Sequence, residues 1–178
     1  MTWHAPRSTE TWAPEGAERE IAALFIDLVG STSLAWEKPP RQVVSLLNAF
    51  FRVVVRVVEA HGSLVNKFEG DAALCVFGAP VPRERPAADA LAAGRELCLR
   101  LADEVPQSFG IGVSAGRAVA GNVGGEARFE YTVIGDPVNE AARLCELARP
   151  GRSGSLPRRP RSSGRVRRRR PAGASASR

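Results

Sequence analysis

The chain has 178 residues, of which 44% are hydrophobic, and this length and composition suit one globular domain with a sizeable core. No apolar run reaches the roughly 18 residues that a membrane-spanning helix needs, so we expect no membrane span. The first 20 residues lack a basic segment followed by an apolar one, which disfavours a secretory signal and predicts a cytoplasmic protein.

The net charge of +6 is distributed unevenly along the chain. Residues 1–148 carry 14 basic and 19 acidic side chains, a net charge of −5, whereas residues 149–178 contain 11 arginines and no acidic residue. The C-terminal segment consists almost entirely of Arg, Ser, Pro, Gly and Ala, so it cannot bury an apolar face. We therefore predict a disordered linker at 1–19, a globular domain at 20–148 and a disordered Arg-rich tail at 149–178.

Two explanations of the tail follow from its composition. The chain has 23 arginines and only 2 lysines, which is typical of a GC-rich genome, where translation out of frame yields mainly Arg, Pro, Gly, Ala and Ser. One hypothesis is that a frame slip near residue 150 replaced the natural C-terminus. The alternative is a basic arm that binds nucleic acid or acidic lipid. We favour the first, so nucleic acid is not the expected partner.

The first elements along the chain are a buried strand and an unusually apolar helix. Residues 21–28 form a continuous apolar run interrupted only by Asp27, which predicts a strand. Residues 41–60 show helical periodicity with one polar stripe, and the remaining circumference is Val, Leu and Phe. One sheet face cannot cover so much apolar surface, which indicates a partner subunit. The polar stripe consists of Arg41, Ser45, Asn48, Arg52, Arg56 and Glu59.

The remaining elements complete an α+β pattern. Two strands at 63–68 and 72–77 read as a hairpin, and strands at 110–116 and 129–134 are separated by a Gly-rich segment. A third helix is predicted at 137–148. The order β-α-β-β-α-β-β-α predicts helices packed on an antiparallel sheet. A second helix precedes the strand at 110–116, with an apolar stripe of Ala87, Leu91, Gly94, Cys98, Leu101 and Val105.

The three cysteines are predicted to be buried free thiols. Cys75, Cys98 and Cys145 lie in apolar runs and have no spacing typical of metal ligands.

Two carboxylates stand out among apolar neighbours. Asp27 ends the first strand, and Asp71 ends the hairpin turn Glu69-Gly70-Asp71. If the two strands are adjacent, both carboxylates meet at one edge, where like charges repel unless a cation lies between them. Mg²⁺ prefers such oxygen ligands and keeps positions open for phosphates. The backbone N–H groups of residues 28–32 are expected to form an anion-binding cradle at a helix start. Metal-binding carboxylates beside a phosphate-binding cradle suggest a two-metal nucleotide enzyme.

Simpler interpretations apply to the same residues taken singly. An aspartate at a strand end is more often a turn or cap residue than a metal ligand, and a lysine in a strand, such as Lys67, is usually solvated. An arginine on a helix, such as Arg143, is usually a surface residue.

Three motifs together resemble one known family. FIDLVGST at 25–32, KFEGDA at 67–72 and YTVIGDPVNEAARL at 131–144 resemble the class III adenylate/guanylate cyclase catalytic domain, especially bacterial adenylate cyclases. The resemblance covers roughly residues 20–150. It implies a ferredoxin-like βαββαβ core with an antiparallel sheet, the nucleotidyl cyclase fold, which works as a dimer. The family continues with further strands where this chain has its tail, so the domain lacks its last strands.

The resemblance assigns metal and base-binding roles. Asp27 and Asp71 match the metal-binding aspartates, with the Leu28 backbone carbonyl as an additional ligand, and two Mg²⁺ or Mn²⁺ ions are implied. Lys67 matches the lysine that binds adenine, which implies ATP as the substrate. Thr132 stands where many relatives have Asp and some bacterial ones have Thr or Ser; its hydroxyl can accept from adenine N6.

The resemblance also assigns the phosphate and ribose contacts. Asn139 matches the residue that orients the ribose, and Arg143 the one that stabilises charge on the α-phosphate. Gly30, Ser31 and Thr32 are expected to bind phosphate.

The expected activity is that of an adenylate cyclase for intracellular signalling, which converts ATP to 3′,5′-cyclic AMP and pyrophosphate. Its sites are expected at a homodimer interface. The alternatives are an inactive truncated cyclase remnant and nucleic-acid binding through the tail.

Overall fold

The computed structural model describes residues 16–30, 36–125 and 128–149. None of the helices in these ranges is long and apolar enough to cross a bilayer. The main elements are β1 (Ala17–Leu28), α1 (Pro40–Ala60), β2 (Leu64–Glu69), β3 (Ala72–Phe77), α2 (Pro86–Glu104), β4 (Phe109–Gly125), β5 (Arg128–Ile134) and α3 (Asp136–Ala148).

The five strands form one antiparallel sheet in the order β2-β3-β1-β4-β5. The first four strands, with α1 and α2 as the two crossovers, have the ferredoxin-like βαββαβ arrangement, which confirms the predicted fold class. β1 begins at Ala17, three residues before the predicted domain boundary, because its first residues pair with β4. Glu18 in this added stretch forms an ion pair with Arg117 of β4.

Both faces of the sheet are covered, which explains the continuous apolar run of β1. Ala22, Leu24 and Ile26 pack under α1 and α2, on what we call the α1/α2 face. Ile21 and Ala23 alternate with them and point to the opposite face, which carries α3 and which we call the α3 face. A strand buried on both faces needs apolar residues at every position rather than at every second one.

The polar stripe predicted on α1 is exposed at all six positions. The buried side of the helix is formed by Phe50, Val53, Val54, Val57 and Val58. Between the two lies apolar surface, such as that of Val44, which is 55% exposed when only the described residues are considered.

The buried stripe of α2 differs from the predicted one. Leu91 is 50% exposed, and Ala87 and Cys98 are also exposed, so the prediction that these three residues belong to the apolar stripe facing the core was wrong. The buried stripe contains Ala90, Ala93 and Leu97 in place of these three predicted residues. The side chains of the two alanines are small, which lets α2 lie close to the sheet. The residues buried on α2 are Ala90, Ala93, Gly94, Leu97 and Leu101.

The other two cysteines are buried as predicted. Burial raises the pKa of Cys75 to about 12 and that of Cys145 to about 11, so both remain thiols at neutral pH.

β4 is longer than predicted. The Gly-rich segment that was expected to separate two strands belongs to it, and residues 119–125 pair with β5. Glycine lowers strand propensity, so the sequence pattern did not indicate a strand; pairing with β1 and β5 holds it in place. Val133 of β5 packs in one cluster with Leu74 and Val76 of β3, so the β4–β5 hairpin folds over the α3 face.

Glycines in β4 let α3 lie directly on the sheet. A Cβ atom at Gly112 would be 2.0 Å from the carbonyl oxygen of Ala141 and 2.4 Å from the backbone nitrogen of Cys145. A Cβ atom at Gly110 would be 2.5 Å from the carbonyl oxygen of Cys145. The helix therefore approaches β4 at a distance that only glycine permits.

Gly112→Ala is expected to destabilise the protein by about 1–3 kcal/mol, because the added methyl group meets backbone atoms of α3 that cannot move alone. Gly94→Ala is the matched control, since a Cβ atom there meets side chains at 3.7 Å or more. It should stabilise the protein by about 0.4–1 kcal/mol through helix propensity. Urea denaturation followed by circular dichroism measures both. Equal effects of the two substitutions would contradict the close approach of α3.

Candidate functional site

The β2–β3 turn requires Gly70 and is compatible with Asp71. Glu69 pairs with Ala72, so the turn has two residues, and Gly70 stands first with a φ of 66°. Glycine in the first position with positive φ is the requirement of a type II′ turn, whereas the second position accepts many residues. Gly-Asp is a favoured pair for such a turn, so turn geometry is compatible with Asp71 but does not require it.

Asp27 near the end of β1 and Asp71 directly before β3 lie at the same end of these two adjacent strands. Asp27 pairs with Ala72 across the β1–β3 ladder, and the backbone nitrogen of Leu28 donates to the carbonyl oxygen of Asp71 at 3.4 Å. Asp27 is 6% exposed and Asp71 is half-buried. The predicted juxtaposition is present, and the role of both residues as metal ligands stays a prediction.

Asp27 already has a cationic partner. The guanidinium group of Arg149 donates to its Oδ2 atom, while Oδ1 is buried and has no hydrogen-bond partner among the described residues. Arg149 directly follows α3 and was assigned to the disordered tail by the sequence analysis. The two residues are 122 positions apart, so no local pattern could indicate the contact.

The predicted anion cradle is only partly available. The backbone N–H groups of Leu28 and Val29 donate to the carbonyl oxygens of Asp71 and Ser108, so neither is free to bind phosphate. Gly30 follows with a φ of 78°. Ser31 and Thr32, the other predicted phosphate ligands, lie outside the described residues.

A β-bulge determines the direction of Lys67. Val65 pairs with Cys75 and packs on the α1/α2 face, and the ladder then shifts by one residue at Asn66. Lys67 consequently pairs with Leu74, whose side chain belongs to the α3 face. Cross-strand partners share a face, so Lys67 lies on the α3 face, as does Asp27. In a regular ladder Asn66 would pair with Leu74, and Lys67 would share the face of Val65.

Lys67 is held by an acidic neighbour. Its Nζ atom lies 3.1 Å from Oε1 of Glu69, two residues further along the same strand, and both side chains are partly exposed. No motif marked Glu69 as a partner of Lys67, although residues two apart in a strand share a face.

The second predicted base contact, Thr132, is brought close to β2 through its neighbour. The Nδ2 atom of Asn66 donates to the carbonyl oxygen of Tyr131 at 2.9 Å. Lys67 and Thr132 each lie one residue from this hydrogen bond. β2 and β5 are the two edges of the sheet, and they meet because the β4–β5 hairpin folds over the α3 face.

The helix α3 presents Asn139 and Arg143 to the outside. Its buried side is formed by Pro137, Ala141 and Cys145, and the two predicted catalytic residues are exposed on the opposite side. A hydrogen bond also joins α3 to the sheet: the hydroxyl of Ser114 on β4 donates to Oε2 of Glu140 at 2.7 Å. Asp27 meets Arg149 at the end of this same helix. Within one chain, Asn139 and Arg143 therefore point away from the sheet that carries Asp27.

The residues at Asp27 are compatible with a hard divalent cation. No cluster of three or more His, Cys, Asp or Glu side chains suited to a metal occurs in the described part of the chain. Mg²⁺ does not require such a cluster, because it is often held by one or two carboxylates with water and substrate phosphates. Asp27 and Asp71 share one edge, and the buried Oδ1 of Asp27 has no partner within the described ranges.

The comparisons with known proteins identify the family. A sequence model of the adenylate and guanylate cyclase catalytic domain matches residues 14–153, so the chain belongs to this family. Uncharacterized proteins of Mycobacterium tuberculosis and Mycobacterium bovis are each 59% identical to it over 140 residues, which is 77% of this chain. The chain spans 26% of the length of these relatives.

Solved structures of bacterial cyclases have the same fold. The guanylyl cyclase Cya2 is 36% identical with a TM-score of 0.70, over 74% of this chain and 71% of that one. A bacterial light-regulated adenylyl cyclase is 29% identical with a TM-score of 0.68, over 76% of this chain and 42% of that one. The adenylyl cyclase CyaB from P. aeruginosa is 26% identical with a TM-score of 0.65, over 74% of each chain.

Arg149→Gln is expected to lower the free energy of unfolding by about 1–2 kcal/mol in buffer with EDTA, because the buried carboxylate of Asp27 loses its charged donor. This expected loss of stability is small for a charged hydrogen bond because the guanidinium group is 36% exposed, and water screens the interaction. Arg117→Gln is the control, as its 73% exposed side chain pairs with exposed Glu18, and its effect should stay below about 0.5 kcal/mol. Urea denaturation of both variants measures the difference, and equally small effects would show that Arg149 does not stabilise Asp27.

Proposed function

We propose that this protein is an adenylate cyclase that converts ATP to 3′,5′-cyclic AMP and pyrophosphate. Membership of the cyclase family supports the reaction class. The observation that carries the proposal is the placement of Asp27 and Lys67 on one sheet face, which depends on the bulge in β2. In a symmetric dimer each nucleotide would take its metal-binding aspartates from one copy and its base-binding lysine from the other, so each chain has to carry both groups.

Asp27 and Asp71 are proposed to hold Mg²⁺ or Mn²⁺, two ions in all as the family resemblance implies, with Leu28 contributing its carbonyl. Such an ion supplies positive charge that lowers the pKa of the ribose 3′-hydroxyl and neutralises phosphate charge. Arg149 competes for the same carboxylate, because Asp27 has only two oxygens and one already accepts from the guanidinium group.

The remaining residues act on the substrate directly. Lys67 donates to the adenine ring and Thr132 accepts from its amino group, while Asn139 holds the ribose. The 3′-oxygen forms a bond to the α-phosphorus, the bond from that phosphorus to the bridging oxygen of pyrophosphate breaks, and the hydroxyl proton is released to solvent. Arg143 stabilises the negative charge that develops on the α-phosphate.

A homodimer is proposed because one chain cannot assemble this set of contacts. Asn139 and Arg143 are exposed on the side of α3 that faces away from the sheet, whereas Asp27 lies on the sheet beneath the end of that helix. A second copy with two-fold symmetry would place its α3 against the first copy's aspartates and form two equivalent sites. Val44, 55% exposed on α1, adds apolar surface that a partner could cover.

GTP is the second candidate substrate. The similarity to the guanylyl cyclase Cya2 favours it, whereas Lys67 favours ATP because a lysine donor suits the acceptor nitrogens of adenine. Purified protein supplied with each nucleotide in turn distinguishes the two. Predominant cyclic GMP would correct the substrate and leave the reaction class intact.

Purified wild-type protein with Mn²⁺ is expected to produce cyclic AMP from ATP, and Asp71→Ala should lose nearly all of this activity. Asp103→Ala, which removes an exposed carboxylate on α2, is the control and should retain it. Product is quantified by liquid chromatography with mass spectrometry. Near-normal turnover by Asp71→Ala would overturn the metal assignment. Folded wild-type protein without product from either nucleotide would favour an inactive remnant.

Arg143→Ala is expected to reduce kcat by about 100- to 1,000-fold, the loss of about 2.7–4 kcal/mol that follows removal of one charge-stabilising donor. KM for ATP should change little, since the charge develops only in the transition state. Arg95→Ala on the exposed side of α2 serves as the control. A variant that changes KM alone would show that Arg143 binds the substrate and does not stabilise the transition state.

A further inference from the structure

We propose that Asn66 is a positioning residue that sets the distance between the two base-binding side chains, Lys67 and Thr132, and thereby determines nucleotide selectivity. This inference rests on the proposed function. It assigns a role to a residue that has no place in the sequence motifs.

The position of Asn66 in the strand is the first argument. It is the extra residue of the β2 bulge, with Val65 on the α1/α2 face before it and Lys67 on the α3 face after it. A bulge re-aims the side chain that follows it. Asn66 therefore stands where the ladder shifts, directly before the lysine whose face is determined by that shift.

The side chain of Asn66 is the second argument. A carbonyl oxygen can only accept, so the group of Asn66 that meets the Tyr131 carbonyl must be the amide N–H, and the orientation of the amide is fixed. The hydrogen bond joins two edge strands that are 65 residues apart in sequence and do not pair with each other. It holds β2 beside β5 one residue from Lys67 and one residue from Thr132.

The oxygen of the same amide, unlike its N–H group, makes no hydrogen bond to the described residues. This Oδ1 atom is buried. A buried acceptor without a partner lowers stability, so an apolar residue would suit a purely structural position better. The asparagine at position 66 is therefore explained by its hydrogen bond that holds β2 beside β5, and not by a contribution to stability.

The experiment compares Asn66→Asp, which keeps the shape but removes the N–H donor, with Asn66→Gln, which keeps the donor. Gln42→Glu introduces the same charge at an exposed amide in the first turn of α1 and is the control. Steady-state kinetics with ATP and GTP, the melting temperature and the Mn²⁺ dissociation constant are measured for each full-length protein.

Asn66→Asp is expected to lower kcat/KM for the preferred nucleotide about tenfold, mainly through KM, and to reduce the ratio of the two kcat/KM values by a similar factor. Asn66→Gln should retain more of the ratio, and Gln42→Glu all of it. Mn²⁺ affinity should not change, because Asp27 lies on β1 and Asp71 lies in the β2–β3 turn, five residues from Asn66. These results would support the positioning role.

An unchanged ratio in Asn66→Asp, with both nucleotides affected in proportion to a lower melting temperature, would overturn the inference and leave the cyclase proposal standing. Wild-type protein that neither binds nor converts either nucleotide would overturn the proposed function, and the inference with it. The two failures are therefore distinguished by the wild-type control.

Discussion

The burial of β1 on both faces is the constraint on which the other features depend. Helices α1 and α2 cover one face and α3 with the β4–β5 hairpin covers the other, so the strand is apolar from Ile21 to Ile26, directly before Asp27. Asp27 is the one buried charged side chain among the described residues. A buried carboxylate is unfavourable without a cation, and Arg149 provides one from the end of α3. In the proposed function a divalent ion competes with Arg149 for the carboxylate of Asp27. The packing of the core is thereby linked to the proposed chemistry.

The placement of the functional side chains follows from three local departures from regular structure. The bulge at Asn66 transfers Lys67 to the α3 face, and the glycines of β4 allow α3 to lie on the sheet with its outward side exposed. The folding of the β4–β5 hairpin brings β5 back toward β2. The bulge disrupts the β2–β3 ladder locally and the glycines lower the strand propensity of β4, and burial or pairing elsewhere compensates for both. Under the proposed function, one chain offers two incomplete sets of contacts that a symmetric pair would combine.

The sequence predicted the elements that have strong periodicity or motifs. The limits of α1 and of the hairpin agree within one residue with the structure, and the three motifs indicated the family and the fold. The prediction failed where small residues obscure the pattern, as for the buried stripe of α2 and the glycine-rich half of β4. It also could not find Arg149 or Asn66, because their contacts join residues 122 and 65 positions apart and depend on tertiary structure.

A complementation assay tests the shared site most directly. Asp27→Asn removes a proposed metal ligand and Asn139→Ala removes the proposed ribose contact, so each homodimer should be inactive. In an equimolar mixture that exchanges subunits, half of the dimers are mixed, and each mixed dimer has one intact site and one with both changes. The account predicts recovery of roughly a quarter of the wild-type cyclic AMP production. No recovery, with mixed dimers verified by differential tags and an active wild-type control, would show that the two sets of residues do not meet across an interface.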